Sequence, residues 1–94
     1  MTREQFDEIM ELTKRLSKLE TTDFDGVELC EHNTDRNNRP RIHIHRGIRD
    51  VAKLYDAEIT VVDHDVDYDE WFFEYDGMRI FELVDKDGSK YAEV

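Results

Sequence analysis

The chain has one cysteine, one proline, four glycines and far fewer basic than acidic residues. The single cysteine, Cys30, excludes an intramolecular disulfide, so the sequence does not indicate an oxidising compartment. No apolar run approaches the roughly 20 residues that span a bilayer. The opening Met-Thr-Arg-Glu-Gln carries charge where a secretory signal needs an apolar run. These absences predict a soluble, cytoplasmic protein.

The shortage of basic residues limits the partners that the chain can bind. Lys and Arg number 13 against 24 Asp and Glu, which gives a formal net charge of −11. Phosphate affinity comes from Lys and Arg, so direct binding of DNA, RNA or an anionic membrane is disfavoured. A partner that is itself basic suits this charge. Aromatic residues make up 11% of the chain, which is not the composition of a disordered acidic tail. Residues 1–94 are therefore predicted to form one folded domain.

The strongest local pattern is an amphipathic helix over residues 3–20. Thr2 and Gln5 have the spacing of a capping box, in which each side chain bonds the other residue's backbone N–H. Acids in the first turns and bases in the later ones suit the helix dipole. A stripe recurs at steps of three and four residues: Phe6, Ile9, Met10, Thr13, Leu16 and Leu19. We expect this stripe to face the core, so that Leu16→Ala would open a cavity.

The middle of the chain predicts a hairpin, a short helix and a strand. Period-2 alternation over residues 27–32 and 41–46 indicates two paired strands, whose loop holds the proline. A helix of about ten residues is expected after Gly47. Ile59 and Val61 mark a further strand.

The last third predicts a meander of strands. Asp76-Gly77 between two apolar runs indicates a type I′ turn, which would pair Glu74 with Arg79. Asp87-Gly88 predicts a second such turn, with Val84 opposite Tyr91. The order α-β-β-α-β-β-β-β predicts an α+β domain, with an antiparallel sheet and the helices mainly on one face.

The acidic charge is concentrated between residues 54 and 78, which contain nine carboxylates and no Lys or Arg. Within this stretch aspartates occupy positions 63, 65, 67 and 69. In an extended segment they would form a row at intervals of about 6.6–7 Å, a scale comparable with the phosphates of one DNA strand. A solvated loop that keeps the protein soluble is the alternative. The candidate partner-binding residues, with Tyr68 or Trp71 as the anchor, are Asp63, Asp65, Asp67, Tyr68, Asp69, Glu70, Trp71 and Glu74.

Residues 36–53 have the opposite charge, with six bases and one acid. If the acidic row binds a basic partner, this segment must lie away from the interface or form a bipolar contact with that partner.

Two metal sites are alternatives to the acidic row. The carboxylates from Asp63 to Glu74 have the spacing of a calcium loop, but Tyr68 occupies the position where such a loop requires glycine. Cys30, His32, His43 and His45 could hold zinc if they share the outer face of their hairpin. Their spacing matches no common structural zinc pattern, so outward polar residues are the favoured interpretation, and no metal or other cofactor is predicted.

The sequence contains no coherent set of catalytic groups. It has no Gly-rich phosphate loop and no Gly-x-Ser-x-Gly elbow, and nothing orients a base beside Cys30. We therefore expect a protein that is not an enzyme.

Aromatic residues cluster beside the acidic stretch. Strand alternation sends Trp71, Phe73 and Tyr75 to one face and Phe72, with Phe81, to the other. We expect the larger set to pack under the first helix. The alternative is that one set stays partly exposed as an interface anchor.

In size, acidity and pattern the chain resembles the small accessory proteins of bacteriophages and prophages. The residues behind the resemblance are the helix entry Arg46-Gly47-Ile48-Arg49-Asp50-Val51-Ala52 and the hairpin Tyr75-Asp76-Gly77-Met78-Arg79-Ile80-Phe81-Glu82-Leu83. It covers most of the chain, as a pattern and without a diagnostic motif. Acidic members of that group often imitate DNA in charge and block a host enzyme that handles DNA; the uracil-DNA glycosylase inhibitor and many anti-CRISPR proteins are examples. The resemblance implies such an inhibitor and names no target.

The sequence thus predicts an acidic inhibitor that occupies the basic, nucleic-acid-binding surface of a host protein, such as a nuclease or CRISPR effector. Reversing Asp65, Asp67 and Asp69 to lysine is expected to abolish inhibition and leave the fold intact. A zinc-stabilised binding module on the Cys30, His32, His43 and His45 hairpin is the alternative. Self-association is a third possibility, with residues 36–53 of one copy against the acidic row of another.

Overall fold

The computed structural model describes residues 1–34 and 37–87, which form two helices and a six-stranded sheet. The elements are α1 (Arg3–Glu20), β1 (Asp23–Phe24), β2 (Val27–Thr34), β3 (Pro40–Arg46), α2 (Ile48–Leu54), β4 (Thr60–Asp63), β5 (Tyr68–Tyr75) and β6 (Met78–Asp85).

The sheet order is β1-β2-β3-β6-β5-β4, and every neighbouring pair is antiparallel except β3 with β6. The predicted α+β fold is confirmed. The predicted pairing across Asp87-Gly88 involves partners outside the described residues.

Two Asp-Gly turns set the register of their hairpins. Asp76 and Gly77 both have positive φ, 51° and 75°, as a type I′ turn requires. Glu74 lies opposite Arg79, so the predicted register of β5 and β6 is confirmed. The Asp25-Gly26 dipeptide, with φ of 55° and 91°, makes the equivalent turn between β2 and the short strand β1, which was not predicted.

The core lies between α2 and one face of the sheet. Ile48 and Ala52 of α2 pack against Ile44, Phe73 and Ile80, and all five are at most 6% exposed. Trp71 packs at the margin of this cluster. The aromatic side chains expected under the first helix therefore lie on the α2 face, and that expectation was wrong.

Helix α2 begins at a carboxylate that is completely buried. Glu82 of β6 is 0% exposed and accepts a hydrogen bond from the backbone N–H of Ile48, at 3.1 Å. Gly47 precedes the helix and has no side chain to cap it, so Glu82 satisfies one of the N–H groups that a helix start leaves unpaired. This contact fixes the start of α2 on the sheet.

Gly47 is a position where only glycine fits. Its φ is +100°, and a Cβ there would lie 2.9 Å from both Cα and Cγ2 of Val27. Gly26 has a similar φ of +91°, but a Cβ there would meet nothing within 4 Å. The two glycines therefore share the conformational requirement and differ in the space around them.

We expect Gly47→Ala to destabilise the fold more than Gly26→Ala. Both variants carry the cost of a left-handed backbone, about 1–3 kcal/mol, and only Gly47→Ala adds a clash with the backbone of β2. Urea unfolding of the two variants measures the difference. Equal losses of unfolding free energy would show that the close approach to Val27 relaxes without cost.

Helix α1 stands largely apart from this core. Its capping box is confirmed, since the Thr2 N–H donates to Gln5 Oε1 at 2.8 Å and the Gln5 N–H to Thr2 Oγ1 at 3.1 Å. However, none of its residues, all of which are described, is buried. Its main contacts are with β2. Leu16 is only half-buried, so the expectation that its truncation would open a core cavity was wrong. The apolar face of the sheet is already covered by α2.

The opposite face of the sheet carries aromatic and cationic side chains stacked on one another. The rings of His43 and Phe81 are stacked with their centroids 4.6 Å apart, and the Arg79 guanidinium lies 3.5 Å from the centroid of Phe72. Burial lowers the pKa of His43 below its usual 6.5, and nearby Glu31 only partly opposes this. The folded state therefore favours the neutral imidazole.

The lowered pKa of His43 predicts a loss of stability in mild acid. As the pH drops below about 6.5, His43 is protonated in the unfolded chain before it is protonated in the folded protein, so the free energy of unfolding falls. The fall ends once the pH is below the pKa of His43 in the folded protein. Urea unfolding at pH 7.5 and 5.5 should show a smaller acid loss in His43→Phe, which keeps a ring against Phe81. The exposed His45 serves as control: its charge is a lesser cause of the lowered pKa of His43 than burial, so His45→Asn should retain most of the wild-type loss. An unchanged loss in His43→Phe would contradict the assignment.

Candidate functional site: an acidic hairpin tip

The turn between β4 and β5 is held by a single aspartate. Asp65 Oδ1 accepts hydrogen bonds from the N–H groups of Asp67 and Tyr68, at 2.8 and 2.9 Å. The N–H groups of His64 and Asp65 both donate to the Tyr68 carbonyl at 3.1 Å. The two bonds that its side chain accepts lower the pKa of the Asp65 carboxyl. Its contribution to the turn is therefore present at neutral pH and is lost as pH falls through the folded pKa.

One lysine lies between two aspartates that face each other across the strands. Asp63 of β4 is the direct partner of Asp69 of β5. Like charges in such a pair repel. Lys86 Nζ donates to Asp63 and, at 3.1 Å, to Asp69. These bonds raise the pKa of Lys86 above its usual 10.5, because both carboxylates stabilise the ammonium. The lysine therefore offsets the repulsion between the two strand ends.

The end of β6 brings further carboxylates to the same place. Tyr68 is the cross-strand partner of Asp85, and the Lys86 N–H donates to the Asp67 carbonyl at 2.9 Å. An open groove of about 450 Å³ lies here, between residues 66–68 and 85–87. Six carboxylates and one ammonium thus lie at this end of the sheet, a formal charge of −5. We call this cluster the acidic tip: Asp63, Asp65, Asp67, Asp69, Asp85 and Asp87, with Lys86.

Apolar surface lies beside the charge. Val66, in the turn, is 87% exposed, and Tyr68, at the start of β5, is 38% exposed. Both line the groove. Tyrosine is enriched among the residues that dominate binding energy in protein interfaces. The tip therefore combines dense negative charge with two side chains that can be desolvated on contact.

The extended row of aspartates expected from the sequence was wrong. The turn at residues 64–67 reverses the chain, so that Asp63 and Asp69 lie on two adjacent strands instead of at the ends of one. Asp65 folds back onto the turn backbone. The carboxylates form a compact cluster, and a spacing that matches successive phosphates of one strand does not apply.

The structure divides the eight predicted partner-binding residues into two groups. Asp63, Asp65, Asp67, Tyr68 and Asp69 are brought together at the tip.

The other three lie elsewhere. Glu70 is bound to Arg79 at 2.7 Å on the opposite sheet face from α2. Trp71 packs against the core. Glu74 lies near the far end of β5, 3.7 Å from Arg39.

Neither alternative metal site is assembled. Asp63 and Glu74 belong to separate strands, so they do not form a calcium loop. The register shifts around Cys30, so that Leu29 pairs with Ile44 and the next paired residue, Glu31, with His43. This bulge sends His32 to the face of its partner Ile42, opposite to His43. The alternative zinc set, which requires all four side chains on one face, is not assembled for this reason. In the part of the chain that the structure describes, no group of three or more His, Cys, Asp or Glu side chains could hold a metal ion.

Two arginines of the basic segment are paired with acids away from the tip. Arg46 binds Asp23 at 3.0 Å and also contacts Glu28. Arg39 lies 3.7 Å from Glu74. These two arginines therefore lie away from the acidic tip.

Asp85, Asp87 and Val66 were not among the predicted site residues. The signal for Asp85 was present, because the register set by Asp76-Gly77, continued along β6, places residue 85 opposite Tyr68. The reversal at residues 64–67 carries no Asp-Gly dipeptide, so the sequence offers no comparable signal for it.

Comparison with family models, with curated proteins and with solved structures gives no match for this chain. Among the described helices, neither combines the length and the apolar character needed to cross a membrane.

Proposed function

We propose that this chain is a non-enzymatic binding protein whose acidic tip occupies the basic, nucleic-acid-binding surface of a partner protein. The observation that supports this best is the gathering of six carboxylates and only one ammonium at the acidic tip, with Val66 and Tyr68 exposed beside them. Lys and Arg side chains that bind phosphates would meet carboxylates instead. The partner's nucleic acid would be excluded by competition for the same surface.

The rigidity of the tip supports the same proposal. Asp65 and Lys86 tie the turn and the strand ends together, so three of the six carboxylates are held before a partner arrives. Binding to a preorganised surface loses less conformational entropy than binding to a mobile acidic loop. The net charge of −11 would also increase the rate of encounter with a basic surface.

The setting that fits this function is an inhibitor encoded by a bacteriophage or prophage, acting in the cytoplasm of the host cell. Its target would be a nuclease or an effector such as those of CRISPR systems, because these enzymes bind nucleic acid through basic channels. This part of the proposal depends on the resemblance in size, acidity and pattern, and on the acidic tip.

A competition experiment tests the proposal. The immobilised protein is incubated with a bacterial lysate cleared of nucleic acid, and bound proteins are eluted either with duplex DNA or with rising salt. We expect DNA-binding proteins that both eluents release, since carboxylate contacts weaken as ionic strength rises. Bound proteins that resist excess duplex DNA, or that stay bound unchanged at high salt, would contradict the proposal, as would a bound fraction without DNA-binding proteins.

A further inference from the structure

Strand β4 forms one edge of the sheet, and no other strand in residues 1–34 and 37–87 pairs with its outer side. All of its residues are exposed, and Val61 and Val62 are 51% and 40% exposed on opposite faces of the sheet. Proteins usually protect such an edge with lysine, proline, a bulge or a very short strand. β4 contains neither lysine nor proline and pairs with β5 in continuous register, whereas β1 at the other edge has only two residues. The β4 edge is therefore open to a further strand.

The hydrogen bonds of the adjoining turn show which backbone groups β4 presents on its outer side. The His64 N–H donates to the Tyr68 carbonyl at 3.1 Å, in the same register as the pairs of β4 with β5. Hydrogen-bonded pairs alternate with non-hydrogen-bonded pairs along an antiparallel ladder. Val62, two residues before His64, is therefore bonded to β5. The backbone N–H and C=O groups of Val61 and Asp63 point outward.

The charge at the end of β4 indicates what an added strand must carry. Asp63 is both the last residue of β4 and a member of the acidic tip, so a strand paired along β4 has one end at the tip. A second copy that paired through its own β4 would supply no Lys or Arg there, because residues 54–78 contain neither. An extended segment with Lys or Arg at one end fits both features, since its backbone pairs with β4 and its cations meet the carboxylates.

We infer that an extended, basic segment of the partner protein adds to the sheet as a strand beside β4. Its backbone would bond to the outward groups of Val61 and Asp63, its apolar side chains would cover Val61 and Val62, and its cations would lie at the acidic tip. Backbone pairing would supply affinity, and the tip would select a basic segment. The inference rests on the proposed function and adds to it the conformation in which the partner is bound.

A peptide titration followed by nuclear magnetic resonance tests strand addition. The probe is acetyl-Lys-Lys-Thr-Val-Thr-Val-amide, and the control peptide has the same side chains with every Thr and Val amide N-methylated, so that those amides cannot donate to β4. We expect the probe at millimolar concentration to slow hydrogen exchange of the Val61 and Asp63 amides, and to bind about tenfold or more tightly than the control. Equal binding of the two peptides would overturn strand addition and leave charge at the acidic tip as the contact. Binding of neither would also overturn it, while the lysate competition tests the proposed function separately.

A proline variant tests the same contact from the side of the protein. Val61→Pro removes an N–H that β5 does not use, so the fold should be retained, because edge strands tolerate proline where the N–H faces solvent. The variant should bind the probe about fivefold more weakly, whereas Val61→Thr, which keeps the N–H, should bind as the wild type does. Unchanged binding by folded Val61→Pro would overturn the inference.

Hydrogen exchange of the free protein tests the other occupants of this edge. The Val61 amide should exchange rapidly at every protein concentration, since the inference leaves it without a hydrogen-bond acceptor until the partner binds. Slow exchange at low concentration would mean that the chain covers its own edge. Slowing that appears only at high concentration would mean that a second copy covers it. Either result would overturn the inference.

Discussion

Truncating Phe73 to alanine is expected to cost about 3–5 kcal/mol of unfolding free energy, because it empties the centre of the core. Phe73 is 3% exposed and packs with Ile44, Ile80 and the α2 residues Ile48 and Ala52. Domains of this size are stable by about 5–15 kcal/mol. The melting temperature should therefore fall by about 15 °C or more, as measured by calorimetry or circular dichroism.

Phe24→Ala is the matched control for this truncation. It makes the same chemical change on the two-residue strand β1, where the side chain is 46% exposed. Its cost should be a small fraction of that of Phe73→Ala, since little apolar surface returns to water. If the two variants lose similar stability, the core does not lie between α2 and the sheet.

The local elements of this fold could be predicted because their signals are local. The capping box at Thr2 and the stripe that follows it predicted the bounds of α1. The Asp76-Gly77 turn predicted the register of β5 and β6, since a two-residue turn leaves one way for the flanking residues to pair. The same dipeptide at Asp25-Gly26 makes the turn between β1 and β2, but β1 was not predicted from it.

The contacts between distant parts of the chain could not be predicted in this way. The parallel pairing of β3 with β6 joins Ile42 to Ile80, and nothing in either strand specifies the other. An amphipathic stripe shows that a helix has an apolar side but does not show what covers it. Both α1 and α2 are amphipathic in this sense, and only α2 contributes buried residues to the core on the sheet.

Side-chain placement in the candidate site depended on two irregularities of the backbone. The bulge at Cys30 moved His32 to the other face of the sheet, which a strict period of two would not allow. The reversal at residues 64–67 converted a row of aspartates into a cluster. Charge composition was therefore a better guide to the site than the spacing of the charged residues.

Removing four charges from the acidic tip while keeping its shape should abolish most partner binding. Asparagine can replace Asp63, Asp65, Asp67 and Asp69 at once, because an amide oxygen at position 65 still accepts the two N–H groups of the turn. Lysine at positions 65, 67 and 69, suggested by the sequence, is a poorer choice, since it removes that acceptor and places a cation beside Lys86.

We expect the four-asparagine variant to bind proteins captured in the competition experiment about 100-fold more weakly or worse, since close interfacial charge pairs contribute about 1.5 kcal/mol or more each. The salt dependence of the remaining affinity should also be shallower. Isothermal calorimetry at several salt concentrations measures both, and thermal melts establish that the variant is folded.

The control removes the same number of negative charges from exposed positions outside the tip, through Asp25→Asn, Asp56→Asn, Glu58→Gln and Asp76→Asn. The three aspartates have φ between 51° and 55°, a conformation that asparagine adopts readily, so the fold should tolerate the changes. This variant should bind its partners nearly as wild type does. Equal weakening in both variants would mean that net charge, and not the tip, determines binding. Unchanged binding in the tip variant would exclude the tip as the working surface.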